Sequence, residues 1–129
     1  VEFALIIPLM LLLLVGFLDL GRVIFYFSSL SNAVREGTRK GIVMEAVENQ
    51  DPRLISIVSE YALGLNTPDG QTPDVTITVN VTNDAKGNRD TLQITANHCF
   101  VPITPGFEAL FNCIQLTADS IMRFEPGFK

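Results

Sequence analysis

Few side chains in this chain are equipped for chemistry. A carboxylate, Glu2, stands directly in front of sixteen uncharged residues, 3–18. Asp19 and Arg22 follow three apart, so on a helix they share a face and can pair. Far downstream His98 adjoins Cys99, and Cys113 is the second cysteine. Two cysteines and one histidine lack the fourth ligand and the spacing of a structural zinc site. No Gly-rich phosphate-binding loop is written in the chain. His98 has no serine or acid beside it, so a structural histidine in a strand is expected rather than part of a triad. Asp69, Asp74, Asp84 and Asp90 lie in or beside turn-forming sequence and read as solvated turn residues. Asn80-Val81-Thr82 fits the N-glycosylation sequon, which makes Asn80 a candidate for modification, although such triplets are frequent by chance. The expectation is a protein that is not an enzyme and holds neither cofactor nor metal.

The chemistry that remains is that of Glu2 and its apolar run. A secretory signal peptide opens with positive charge and closes on small residues at a cleavage site. Here the acid comes first, and the run, which starts at Phe3, passes into further helical sequence. A bilayer-spanning helix needs about 20 apolar residues, so residues 3–18 are slightly short and an extended span brings Asp19 to the boundary. An unpaired Asp inside the membrane costs about 2.5–3.5 kcal/mol on insertion scales. Pairing with Arg22, a partner subunit or the headgroups offsets that. Pro8 removes one helical hydrogen bond, and Gly16 and Gly21 follow. Such breakers are tolerated in lipid where neighbouring helices cover the backbone, which suggests a helix packed against others. The simpler alternative is an ordinary anchor, since Pro and Gly are common in those too.

Beyond Phe27 the sequence turns polar, and Ala33, Gly37 and Gly41 then recur every four residues. A face nearly bare of side chains lets another backbone approach closely. Arg35, Glu36, Arg39 and Lys40 cover the other faces. One helix is predicted from Glu2 to about Glu48, roughly 70 Å at 1.5 Å per residue. Its half 1–27 belongs to the membrane or a filament core, and its half 28–48 supports a head formed by residues 49–129.

The head is acidic, with nine acids and five bases over residues 51–129, which disfavours nucleic acid as a partner. Asp51-Pro52 is a helix start, with Asp as N-cap and Pro at the first position. Leu54, Ile57, Val58, Tyr61 and Leu65 give helical spacing from Pro52 to about Leu63, with Gly64 or Asn66 as the end and a loop over 67–73. Three strands follow by alternation: Val75, Ile77, Val79 and Val81; Leu92, Ile94 and Ala96; Ile114, Leu116, Ala118, Ser120 and Met122. A turn at residues 83–88 joins the first two. One apolar face per strand implies an antiparallel sheet covered on one side. The second half of the long helix, with the short helix beside it, is the expected cover. The fold class is therefore α+β. Between the second and third strands, residues 99–113 are apolar, Pro-bearing and irregular. Three Phe there are expected to pack either on the chain's own core or on a neighbour. Because the N-terminal segment points to export, Cys99 and Cys113 are expected to be bridged, a loop worth roughly 3 kcal/mol in the chain-entropy model; the alternative is two free buried thiols.

Val1-Glu2-Phe3-Ala4-Leu5, followed by Pro8 and a leucine run, resembles the N-terminus of the TadE-like pseudopilins of tight-adherence (Tad/Flp) pilus systems. Asn32-Ala33-Val34-Arg35-Glu36-Gly37-Thr38-Arg39 resembles that family's segment after the apolar helix. The stretch from Cys99 through Ile114-Gln115-Leu116-Thr117-Ala118 to Met122-Arg123 is similar more loosely. The resemblance implies a type IV pilin-like subunit: inserted in the inner membrane, cut by a prepilin peptidase ahead of the apolar helix, and taken by the pilus assembly machinery into a helical surface filament of its own copies that serves adhesion. The alternative is a minor pseudopilin or accessory protein that stays anchored in the membrane and assists assembly or presents its head as a binding module. In a filament a buried Glu2 needs a partner, and a neighbour's α-amino group is the candidate. The alternative for Glu2 is plain stabilisation of a helix N-terminus. The assembly residues implied are Glu2, Phe3, Pro8, Asp19, Arg22, Ala33, Gly37 and Gly41.

Overall fold

The computed structural model describes residues 2–62, 75–107, 109–110 and 113–125. The expected helix end at Gly64 or Asn66, the loop 67–73 and the side chain of Glu2 lie outside the described residues. The first element is a 40-residue helix, α1 (Glu2–Gly41), which runs through Pro8. A short helix, α2 (Pro52–Tyr61), precedes three strands, β1 (Val75–Asn83), β2 (Arg89–Phe100) and β3 (Ile114–Arg123). The strands form one antiparallel sheet in the order β1-β2-β3. The expected α+β architecture of long helix, short helix and three-stranded sheet is the one observed.

Each local signal has its counterpart. Asp51 Oδ1 accepts the Arg53 backbone N–H at 3.0 Å and so caps α2 ahead of Pro52. Arg53 also holds the Asp51 carboxyl below the usual carboxylate range through its side-chain hydrogen bonds. The β1–β2 turn is organised by Asp84, whose carboxylate accepts the N–H groups of Lys86 and Asn88 at 2.8 and 2.9 Å. Gly87 supplies the positive φ of 80° that this turn needs. Across the sheet the rows Val79–Ile94–Ser120 and Ile77–Ala96–Ala118 face the helices. The rows Thr78–Thr95–Asp119 and Thr76–Asn97–Thr117 lie on the outer face.

The core lies between sheet and helices, built from Leu30 and Val34 of α1, Leu54 and Val58 of α2, and Val79, Leu92, Ile94 and Phe100 of the sheet, all buried. Burying such a side chain is worth about 1.5–3 kcal/mol. Tyr61 does not join it. It is exposed, its hydroxyl accepts from Lys40 Nζ at 2.8 Å, and Ala62 is the buried residue at the end of α2.

Two boundaries differ from expectation. α1 ends at Gly41, not near Glu48, and is about 60 Å long. Ile42 and Val43 are β-branched and lower helix propensity. The chain tightens into turns there, with the N–H groups of Val43 and Met44 donating to the carbonyls of Lys40 and Gly41. Ala46 and Gln50 take positive φ, Val47 is returned to the core, and Arg53 Nη2 donates to the carbonyls of Glu45 and Ala46. The reversal is what lays α2 beside α1. The second difference is β2, which continues past Ala96 through His98 to Phe100. The alternation of buried residues persists through all three, so Phe100 is a core strand residue rather than the start of a loop.

Candidate functional site

The surface of α1 changes at Asp19. Ahead of it the side chains are exposed, with Phe3 at 80% and Phe17 at 72%, except that Val15, one turn before Asp19, and Gly16 are half-buried. The helix is long and apolar enough to cross a membrane, by length and composition. A Cβ built on Gly16 or Gly21 would meet nothing within 4 Å, so both positions are open to contacts from outside the chain. From Asp19 onward one face is packed on the head: Asp19, Val23, Tyr26, Leu30, Ala33, Gly37 and Gly41 recur at three- and four-residue spacing. Head packing thus begins well before residue 28. On the adjoining flank, about 100° round the helix, Leu20, Ile24 and Phe27 remain exposed.

Ala33, Gly37 and Gly41, expected to admit a neighbouring subunit, are instead covered by the chain's own head. A Cβ on Gly37 would run into Val58 Cγ2, and one on Gly41 into Leu92 Cδ2, with both Leu54 methyls at 3.1 Å. The bare face does permit a close approach, and the approaching groups are α2 and β2.

The expected pair forms: Arg22 Nη1 donates to Asp19 Oδ1 at 3.1 Å. Three further donors reach this carboxylate from 84 and 85 residues away. Asp19 Oδ2 accepts the backbone N–H groups of Ile103 and Thr104 at 2.9 and 2.8 Å and the Thr104 hydroxyl at 2.5 Å. Asp19 is 7% exposed, so this is a buried carboxylate with four protein donors. Around it the Arg22 guanidinium lies 5.1 Å from the Phe100 ring centroid and 5.6 Å from that of Tyr26. Tyr26 meets Phe100 and His98 edge-on at 5.6 and 5.7 Å. His98 is buried in β2, as a structural histidine should be.

The β2–β3 loop makes this junction possible. Cys99 and Cys113 are bridged, as expected, at the end of the β2–β3 ladder. Within the loop, Thr104-Pro105-Gly106-Phe107 is a type II turn: Pro at the second position, Gly106 at φ 93°, and the Phe107 N–H donating to the Thr104 carbonyl at 3.2 Å. Pro102 and Thr104 point inward and are buried, while Val101, Ile103, Phe107 and Leu110 are exposed. Phe111 lies outside the described residues. Sequence reasoning missed Ile103 and Thr104 as partners of Asp19. The available signal was a pair of adjacent N–H donors between two prolines that have none, with a hydroxyl on the second residue.

The arrangement is suited to holding two parts of one chain together and to presenting an apolar surface. Among the described residues, no three His, Cys, Asp or Glu side chains converge where a metal ion could be held. Asn80 is exposed on β1. Searches of curated proteins and of solved structures found no match to this chain. Residues 1–39, a stretch that lies almost wholly within α1, match the family model described as TadE-like protein, the family that the N-terminal residues resemble.

Proposed function

We propose that this chain is a structural, non-catalytic pilin-like subunit of a type IV-like tight-adherence surface filament, assembled through its apolar stem and serving attachment. The observation that carries the reading is the stem itself. Residues 3–14 expose apolar side chains around the whole helix, while the head packs only from Asp19 onward. So large an apolar surface has no place in water. In the inner membrane, lipid covers it; in a filament, the stems of other copies do.

In this reading the precursor is cut by a prepilin peptidase ahead of the apolar helix and handed to the pilus assembly machinery. Glu2 then meets the α-amino group of a neighbouring subunit and sets the axial register of each incoming stem. Glu2→Ala is expected to insert into the membrane normally and to give no filaments; normal filaments from this variant refute the role of Glu2. Sheared surface filaments in which this chain is the dominant band support the structural subunit. Retention of the chain in the membrane fraction, away from such filaments, supports a minor accessory pseudopilin instead.

A further inference from the structure

We propose that the disulfide-closed loop between β2 and β3 is a second membrane contact: it sits in the lipid interface beside α1 and seals the Asp19 carboxylate from the bilayer. The inference rests on the membrane stage of the function proposed above. It begins with a length. The apolar run between the carboxylates of Glu2 and Asp19 is sixteen residues, about 24 Å of helix, whereas the hydrocarbon core is about 30 Å thick. A stem that spans this core from Phe3 carries Asp19 to the edge of the acyl region or just inside it. The outward face of α1 is built for that depth, since Leu20, Ile24 and Phe27 continue the apolar surface past Asp19.

The head-side face at the same height carries a carboxylate, and the loop covers it. Its backbone is fixed there by the hydrogen bonds of Ile103 and Thr104 to Asp19. With Arg22 and the Thr104 hydroxyl, all of the donors that the carboxylate uses come from the protein, so it needs no water. Among the described residues of the loop the exposed side chains are apolar, with Val101 at 50%, Ile103 at 63% and Leu110 at 75% exposure. Residues 99–113 contain a single charge, Glu108. Donors inward and aliphatic side chains outward, at the depth where lipid begins, describe a group that faces headgroups and upper acyl chains. Interfacial segments bury their apolar faces about 5–10 Å into that region. Lipid is favoured over a soluble partner because the loop is bonded to the stem at Asp19, the residue that directly follows the apolar run.

The chain contains no tryptophan, so single-tryptophan variants report depth directly. Ile103→Trp and Leu110→Trp place the probe on the loop, Leu11→Trp within the stem, and Thr76→Trp on the exposed outer face of the sheet. Each full-length variant is reconstituted in phosphatidylcholine vesicles containing lipids brominated at shallow or deep acyl positions. Circular dichroism and disulfide content establish that each is folded. The expected result is blue-shifted emission from the loop probes with loss of most of their intensity to shallow bromines. The stem probe should be quenched by deep bromines, and the sheet probe by neither. A quenched stem probe with red-shifted, unquenched loop probes overturns the loop proposal and leaves the anchor intact. Blue-shifted but unquenched loop probes mean that protein, such as a second copy of the chain, covers them, and also overturn it. An unquenched stem probe overturns the membrane stage itself.

Discussion

Asp19→Ala removes the acceptor for three loop donors and strands the Arg22 guanidinium. A hydrogen bond to a charged group contributes about 1.5–3 kcal/mol, and three of them join Asp19 to the loop. They share one oxygen and do not add independently. Ile103 is largely exposed, so water replaces part of what its N–H loses. We expect the closed loop to lose about 3–4 kcal/mol against its open form, in line with the loss of one partner from a buried ion pair. At 1.4 kcal/mol per tenfold, amide-exchange protection of Ile103 and Thr104 should fall by about 100- to 1,000-fold. The measurement is hydrogen exchange on the full chain in detergent micelles. The amides of the central strand β2 in the core, such as Ile94 and Ala96, serve as references for global unfolding. Asp19→Asn keeps an acceptor oxygen but loses the charge, and should fall between parent and Ala at roughly a tenfold loss. Equal protection at 103 and 104 in parent and Asp19→Ala refutes the junction as described. A parallel fall at Ile94 and Ala96 would instead mean that the whole head had loosened.

Two further substitutions probe the helix–head contact. Gly37→Val should lower thermal stability by about 2 kcal/mol, because its branched side chain enters the space held by Val58 and Ile94. Gly21→Ala, where nothing lies within 4 Å, should be neutral or raise stability by up to about 1 kcal/mol through helix propensity; equal effects of the two would refute the close packing at Gly37. The N-cap gives a pH prediction. Because Arg53 depresses the Asp51 pKa in the folded state, the cap's contribution is fully present above the ordinary Asp value of about 3.9. It declines as pH falls below that value and is lost once pH passes the folded one. Amide protection early in α2 followed against pH should show this decline, and Asp51→Asn, which keeps a capping oxygen without the charge, should flatten it.

What could be read in the sequence was whatever depends on neighbours along the chain. Alternation in the strands, the Asp51-Pro52 start and the three-residue spacing of Asp19 and Arg22 are local patterns, and each has its structural counterpart. The end of α1 was harder, since Ile42, Val43 and Met44 continue an apolar helical pattern. The lower helix propensity of Ile42 and Val43 is a weak signal, and the return of Val47 to the core, which lays α2 beside the stem, is a tertiary requirement. The spacing of Ala33, Gly37 and Gly41 announced a close approach but could not name the approaching group. A four-residue small stripe looks the same whether another subunit or the chain's own α2 fills it. The junction was least legible because its halves are 84 residues apart. His98 reads as a strand residue, but Cys99 and Phe100 read as part of the irregular stretch because prolines follow at 102 and 105, whereas β2 runs to Phe100.

The junction has a mechanical consequence that the core alone does not provide. The head is held on α1 by the packing of Leu30, Ala33, Val34, Gly37 and Gly41 against α2 and the sheet. A contact over three turns on one side of a rod resists separation but leaves the far end of the head free to rock about it. Asp19 lies eleven residues before Leu30, about 16 Å further down the axis, and is bonded to a loop whose two ends are joined by the β2–β3 ladder and the disulfide. A second attachment at that distance turns a hinged contact into a braced one, so the orientation of the sheet follows the stem. Arg22, Tyr26 and Phe100 fill the space between the two attachments and transmit the bracing through packed rings. In the proposed filament a stem that enters a fixed helical lattice would need its head at a fixed angle, and the buried carboxylate, costly in itself, sits where it can set that angle.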